Sequence, residues 1–191
     1  APTNRNILTS GTGGLILTSA EMANIATSNL SLVTQGGGDI TISSGLDLRT
    51  SNVTALTLTS TDDIVFSNAL QAKTLTAVAD DDMTISANLT TNTGSITLEV
   101  SNAGGQAETM AVADGVTIDS ADNLVFQDGN NQAIALNSAG AAIFRAVDNI
   151  SFDEDYKNYP CKCGSNKCCG YIVREGSRWR IKKSRSVSIS R

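Results

Sequence analysis

The 191-residue chain has no histidine. That absence excludes Ser-His and Cys-His catalytic pairs, and any His-ligated metal, from within the chain. Proline occurs twice, aromatic residues make up 4% and charged residues 17%. No apolar run approaches the roughly 18–20 residues of a membrane-spanning helix, so no membrane span is expected. Ala1 opens the chain with no signal-type apolar core, which reads as a processed chain or part of a longer one. Leu-rich runs of helical period are few, and residues 1–150 contain no cysteine.

Small polar and β-branched residues are plentiful. Thr and Ser supply 21 residues each and Gly another 16. Thr, Val and Ile together point to strands. Charge is divided unevenly along the chain. Residues 1–150 hold 4 Lys/Arg against 15 Asp/Glu, a net of −11, whereas residues 151–191 hold 10 against 4, a net of +6. The second segment also contains all 4 cysteines, the 3 Tyr and the single Trp, Trp179. So sharp a shift marks a boundary between two kinds of structure. The division expected is a repetitive body over 1–152, a cysteine-rich basic module over 153–183 and a disordered tail over 184–191. The other reading is an acidic body carrying a basic, loosely ordered tail.

The first segment repeats. Short apolar–polar–apolar runs such as Ile40-Thr41-Ile42, Leu56-Thr57-Leu58, Ile64-Val65-Phe66, Met83-Thr84-Ile85 and Ile96-Thr97-Leu98 recur, each ended by Gly, Asn, Asp or Ser. Period-2 alternation turns one side chain into a core and its neighbour outward. Whole phrases return as well. DITIS at 39–43 comes back as DMTIS at 82–86 and GVTID at 115–119, and DDIVF at 62–66 as DNLVF at 122–126 and DNISF at 148–152. Comparable strands lie about 19–25 residues apart, taking Ile40 with Ile64, Ile64 with Met83, and Ile96 with Val116.

Repeats of this length signal a stacked architecture, because one repeat cannot bury its apolar face alone. The expected fold is all-β: a parallel β-solenoid (β-helix) followed by the small C-terminal cysteine-rich module. Three features favour it over a β-sandwich, the alternative. Regular two-residue Asn-Gly or Asp-Gly hairpin turns are missing, the inward positions are small aliphatics, and the repeat suits a coil of two or three short strands. Asp62-Asp63 and Asp80-Asp81-Asp82 have the chemistry of Ca²⁺ ligands but fit no calcium-repeat spacing, and read as solvated corners. Gly36-Gly37-Gly38 lacks the Lys-Ser/Thr of a phosphate loop and reads as a turn. The Thr-x-Thr phrases (57–59 and 74–76) invite an ice-binding reading, although their spacing along the chain is irregular.

The phrases GGDITIS (37–43), ADDDMTISANLTTNTGSITLEV (79–100) and GVTIDSADNLVF (115–126) give 1–150 its resemblance to the degenerate repeats of bacterial surface proteins of the filamentous haemagglutinin type. The resemblance implies a secreted, elongated, adhesive or structural protein without catalytic residues in its repeats.

Cys161, Cys163, Cys168 and Cys169 form a C-x-C-x₄-C-C cluster. The segment 152–181 resembles the post-SET tail that follows SET-domain lysine methyltransferases. That resemblance implies Zn²⁺ held by Cys161, Cys163 and Cys168, with a fourth cysteine supplied by a catalytic core. No SET core accompanies the tail: cofactor-binding Gly motif, Asn-His-Ser motif and upstream cysteine are all lacking. In a secreted chain the same four cysteines would form two disulfides instead, and pairing Cys161 with Cys168 and Cys163 with Cys169 is geometrically reasonable. In an intracellular chain they would hold zinc. The basic run 174–185, with Tyr171 and Trp179 interleaved, has the makings of a nucleic-acid contact. A net −11 body offers a nearer partner, in this chain or in the next copy of a homopolymer.

The function expected is therefore non-enzymatic: an extracellular or cell-surface structural or adhesive protein that associates with itself, with a host or surface ligand as a further partner. Two alternatives stand beside it, an intracellular zinc-binding post-SET-like fragment of a methyltransferase and an ice-binding β-solenoid.

Overall fold

In the computed structural model the described residues are 7–8, 15–101, 109–128, 135–138 and 141–152. The chain divides into two units, Ala1–Ser151 and Phe152–Arg191; the architecture below is that of the first, its last strand ending at Phe152. Cys161, Cys163, Cys168 and Cys169, with the basic run and the tail, lie outside the described residues.

The chain opens with β1 (Ile7–Leu8), β2 (Leu15–Ile16), a short helix α1 (Ser19–Ala23) and β3 (Asn29–Val33). Coils of three strands then follow. The first holds β4 (Ile40–Ile42), β5 (Leu46–Asp47) and β6 (Ala55–Ser60), and the second β7 (Ile64–Phe66), β8 (Leu70–Ala72) and β9 (Leu75–Ala79). The third holds β10 (Met83–Ile85), β11 (Leu89–Thr91) and β12 (Ile96–Val100), and the fourth β13 (Thr109–Val112), β14 (Thr117–Ser120) and β15 (Leu124–Asp128). The last described coil has β16 (Ala135–Ser138), β17 (Ile143–Ala146) and β18 (Ile150–Phe152).

Every third strand stacks on its equivalent. Sheet 1 runs β2-β1-β4-β7-β10-β13-β16, sheet 2 runs β5-β8-β11-β14-β17, and sheet 3 runs β3-β6-β9-β12-β15-β18. The strand pairs described within these sheets are parallel. This is a parallel β-solenoid of three faces, and it sets aside the β-sandwich, whose two sheets would be antiparallel. The register places Ile64 on Ile40, Met83 on Ile64, Met110 on Met83 and Leu136 on Met110, giving coils of 24, 19, 27 and 26 residues. Ile96 stacks on Leu124, in sheet 3, whereas Val116 leads into sheet 2. That pair therefore does not mark a repeat.

The core follows from the alternation. Ile40, Ile64, Met83 and Met110 form one inward column of sheet 1, each 0% exposed. Ile42, Phe66, Ile85 and Val112 form the next column, and Leu56, Leu75, Ile96 and Leu124 line sheet 3. Burying each such side chain contributes roughly 1.5–3 kcal/mol. The backbone groups between them bond from coil to coil, as in Leu75 N–H to Ser95 O at 3.1 Å and Ile96 N–H to Asn123 O at 2.9 Å. In the last described coil Phe144 packs edge-on against Phe126, with ring centroids 5.1 Å apart.

Helix α1 is the element that alternation did not announce. Thr18-Ser-Ala-Glu21 is a capping box: the Thr18 hydroxyl accepts the Glu21 N–H, and the Glu21 carboxylate accepts the Thr18 N–H at 2.8 Å. α1 lies against β5, the first strand of sheet 2, and Met22 is fully buried in the core. Sheets 1 and 3 begin with strands that precede β4 and β6, so α1 stands where the corresponding strand of sheet 2 would be. Covering such an edge protects a stacked sheet from further pairing.

Candidate functional site: an aspartate corner

Two corners of the coil are built from the same small vocabulary. Between sheets 3 and 1, Thr34 and Ser60 point inward, 2% and 0% exposed. Both donate to the Gly38 carbonyl, at 2.5 and 2.7 Å, and Thr34 Oγ1 accepts the Thr61 N–H at 3.0 Å. Between sheets 2 and 3, Thr91 and Ser120 take the same places. Thr91 donates to the Gly94 carbonyl at 2.6 Å and accepts the Ala121 N–H at 3.1 Å, whereas the Ser120 hydroxyl donates to the Asn123 carbonyl at 2.8 Å and lies 3.4 Å from Gly94 O. The Ser-x-Asp-Asp/Asn phrases at 60–63 and 120–123 are thus one turn device used at different corners. A buried hydroxyl is tolerated because its hydrogen bonds are made.

The residues that follow the hydroxyl pair make the two corners electrostatically different. At the first, aspartates climb from coil to coil as a ladder. Asp39 Oδ1 accepts the Asp63 N–H at 3.4 Å, Asp63 Oδ1 accepts the Asp82 N–H at 3.0 Å, and Asp82 Oδ1 accepts the Thr109 N–H at 2.8 Å and the Thr109 hydroxyl at 3.0 Å. Asp62 stands beside this ladder. One carboxylate oxygen from each of Asp39, Asp62 and Asp63 lies within 4.8 Å of the others, and all three residues are half-buried. Burial raises the Asp62 carboxyl above the ordinary aspartate value, and the charges of Asp39 and Asp81 raise it further. Asp63 is also raised, by burial first and by the charges of Asp62, Asp39 and Asp81, against the opposing hydrogen bond from Asp82 N–H.

At the second corner Ser95 takes the place of Asp39, and Asn123 that of Asp63. The Ser95 hydroxyl donates to Asp122 Oδ2 at 2.8 Å, and Asn123 Nδ2 donates to Asp122 Oδ1 at 3.1 Å. Donors in place of like charges reverse the outcome: Asp122 is lowered, chiefly by the Ser95 hydrogen bond. Its neighbours continue the stack through side chains, Asn149 Nδ2 donating to Asn123 Oδ1 at 3.3 Å.

The sequence groups Asp62-Asp63 and Asp80-Asp81-Asp82 as separate solvated corners. The structure places them on one corner and adds Asp39, whose position in GGDITIS gave no hint of a partner 23 residues away. Asp81 is exposed, as a solvated corner implies, while Asp62, Asp63, Asp80 and Asp82 are half-buried. The oxygens are of the hard-donor class that Ca²⁺ and Mg²⁺ take, and three of the carboxylates also serve the backbone of the next coil. The glycine turn is confirmed: Gly36 and Gly37 have φ of 69° and 73°, a left-handed conformation open to glycine at no steric cost. Among the described residues no helix is long and apolar enough to cross a membrane. No family model matches the chain, and no curated protein or solved structure matches it.

Proposed function

We propose that the chain is a non-enzymatic structural or adhesive protein of the extracellular or cell-surface kind, its stacked coils forming a stiff body and its copies associating with one another. One observation carries this reading: a single apolar core runs through successive in-register coils, bonded by three parallel ladders at once. A body of this kind yields only by breaking the ladders of all three faces together, which suits a load-bearing spacer. The corner chemistry supports the same reading. Asp39, Asp63 and Asp82 spend carboxylate oxygens on backbone N–H groups of the next coil, the role of structural staples. Self-association rests on the charge division between 1–150 and 151–191, where a basic segment of one copy has an acidic body on the next to meet.

The experiment is sedimentation velocity of the full chain over a concentration series in low and high salt, with electron microscopy of the same samples and a cell-binding assay. Concentration-dependent oligomers that loosen in high salt are expected. A chain that stays monomeric throughout and binds no cell surface refutes the proposal.

A further inference from the structure

The outward face of sheet 3 is more regular than the sequence is. Ser31, Thr57, Thr76 and Thr97 pair rung to rung and form one column, and Val33, Thr59 and Val78 form the column beside it. Along the chain Thr57, Thr76 and Thr97 each centre an apolar-Thr-apolar run at unequal spacing, and Thr74, the first of the second Thr-x-Thr, falls outside β9 altogether. Register alone aligns the rest. Rungs are about 4.7–4.9 Å apart and alternate residues of a strand about 6.5–7 Å apart, so the side chains occupy a two-dimensional grid. The central column ends at Val125, and the second at Glu99, whose carboxylate accepts from the Gln127 amide.

Seven adjoining positions here carry no charge, in a segment with 15 acidic residues. Sheet 2 differs in charge, turning Asp47, Gln71, Thr90, Asp119 and Arg145 outward, whereas the outward column of sheet 1, Thr41, Val65, Thr84 and Ala111, is uncharged as well but sets no threonines on consecutive rungs. Threonine offers a methyl and a hydroxyl on a stiff β-branched side chain, so an in-register column repeats both groups at the rung spacing. The chemistry that fits is an extended, uncharged, periodic solid of hydrogen-bonding groups. A small ligand would need a concavity, and a charged polymer would need opposite charge. Packing a second copy there would bury hydroxyls away from water.

We propose that the face of sheet 3 centred on Thr57, Thr76 and Thr97 binds the surface of ice, the hydroxyls holding waters at lattice spacing and the methyls flanking them. This function is independent of the structural reading above, and its readout does not depend on self-association. The test uses the full chain in nanolitre osmometry for thermal hysteresis and in an ice-recrystallisation assay. It compares the natural chain with Thr76→Tyr, with Thr76→Val, and with Thr84→Tyr on the outward face of sheet 1. Circular dichroism and thermal melting establish that each variant is folded. Activity in the natural chain, its loss in Thr76→Tyr and its retention in Thr84→Tyr are expected. Thr76→Val, which keeps the side-chain shape, serves as the face variant if the tyrosine impairs folding, and a reduced hysteresis is expected of it. An inactive natural chain overturns the proposal, as does an equal loss from Thr84→Tyr.

Discussion

Gly94→Ala tests the coil register at a point where three coils meet. The Gly94 N–H donates to Lys73 O at 2.9 Å in one neighbouring coil, and its carbonyl lies 3.4 Å from Ser120 Oγ of the other. A Cβ at residue 94 would lie 2.2 Å from Thr74 Oγ1, 3.3 Å from Thr74 Cβ and 3.5 Å from Lys73 O. Rotating Thr74 relieves the hydroxyl contact but leaves the Cβ pair tight. Gly94 is not among the glycines of positive φ, so the cost is steric and not conformational. Overpacking of this kind costs about 1–3 kcal/mol, offset by about 0.4–1 kcal/mol from the restricted unfolded chain. A net loss of about 1–2 kcal/mol is expected. Thr74→Ala removes the hydroxyl at 2.2 Å and leaves the Cβ pair, and in a double-mutant cycle it should recover about 1 kcal/mol of that loss. Urea unfolding followed by far-ultraviolet circular dichroism reads both effects as shifts in midpoint at constant slope. If Gly94→Ala is neutral, or the two substitutions simply add, the stacking of Gly94 on Thr74 is wrong.

Phe66 is 0% exposed between Ile42 and Ile85 in the inward column of sheet 1, so Phe66→Ala should cost about 3–5 kcal/mol in the same assay. Asp62 and Asp63 should titrate above the ordinary aspartate value by carbon-detected NMR, and Asp39→Asn, which keeps the acceptor for Asp63 N–H while removing the charge, should move both down. Because their folded values are raised, the native state holds more protons than the unfolded chain between the ordinary and the raised values, so this corner loses stability as pH rises through that window. Asp39→Asn should therefore stabilise the chain at neutral pH, with the gain vanishing in acid once all these carboxyls are protonated; a gain that grows in acid would contradict the ladder. Intact mass of the full chain, with and without reductant and chelator, decides the chemistry of Cys161, Cys163, Cys168 and Cys169: a deficit of about 4 Da means two disulfides, whereas free thiols with bound zinc mean the post-SET-like site.

Much of the fold is legible residue by residue. Ile40-Thr41-Ile42 and Ile96-Thr97-Leu98 announce strands because alternating burial leaves its own trace in the choice of side chains. The missed strands are those where that trace is weak. β8 reads Leu-Gln-Ala and β11 Leu-Thr-Thr, each with a single large apolar side chain, and in β17, Ile-Phe-Arg-Ala, the outward Ile143 breaks the alternation. Helix α1 had a signal in Thr18-Ser-Ala-Glu21, but five residues are too few for helical periodicity. The recurring phrases were legible as repeats and misleading as landmarks. DDIVF leads into sheet 1 and DNLVF into sheet 3, because the phrase encodes a corner and the strand after it, not the face that strand joins.

The alternating strands, the inward aliphatics and the division of charge between 1–150 and 151–191 follow from the sequence alone, whereas the parallel pairing, which the repeats suggest beside a β-sandwich, is decided by the coil-to-coil register. Which corners coincide depends on coil length, and coil length varies. Seven residues, 48–54, separate β5 from β6, while only Lys73 and Thr74 separate β8 from β9. Those excursions set which residues fall into register from one coil to the next. The convergence of Asp39 with Asp62 and Asp63, and the threonine column of sheet 3, therefore belong to the tertiary structure: each joins residues about a coil apart, and the pairing exists only once the coils are stacked.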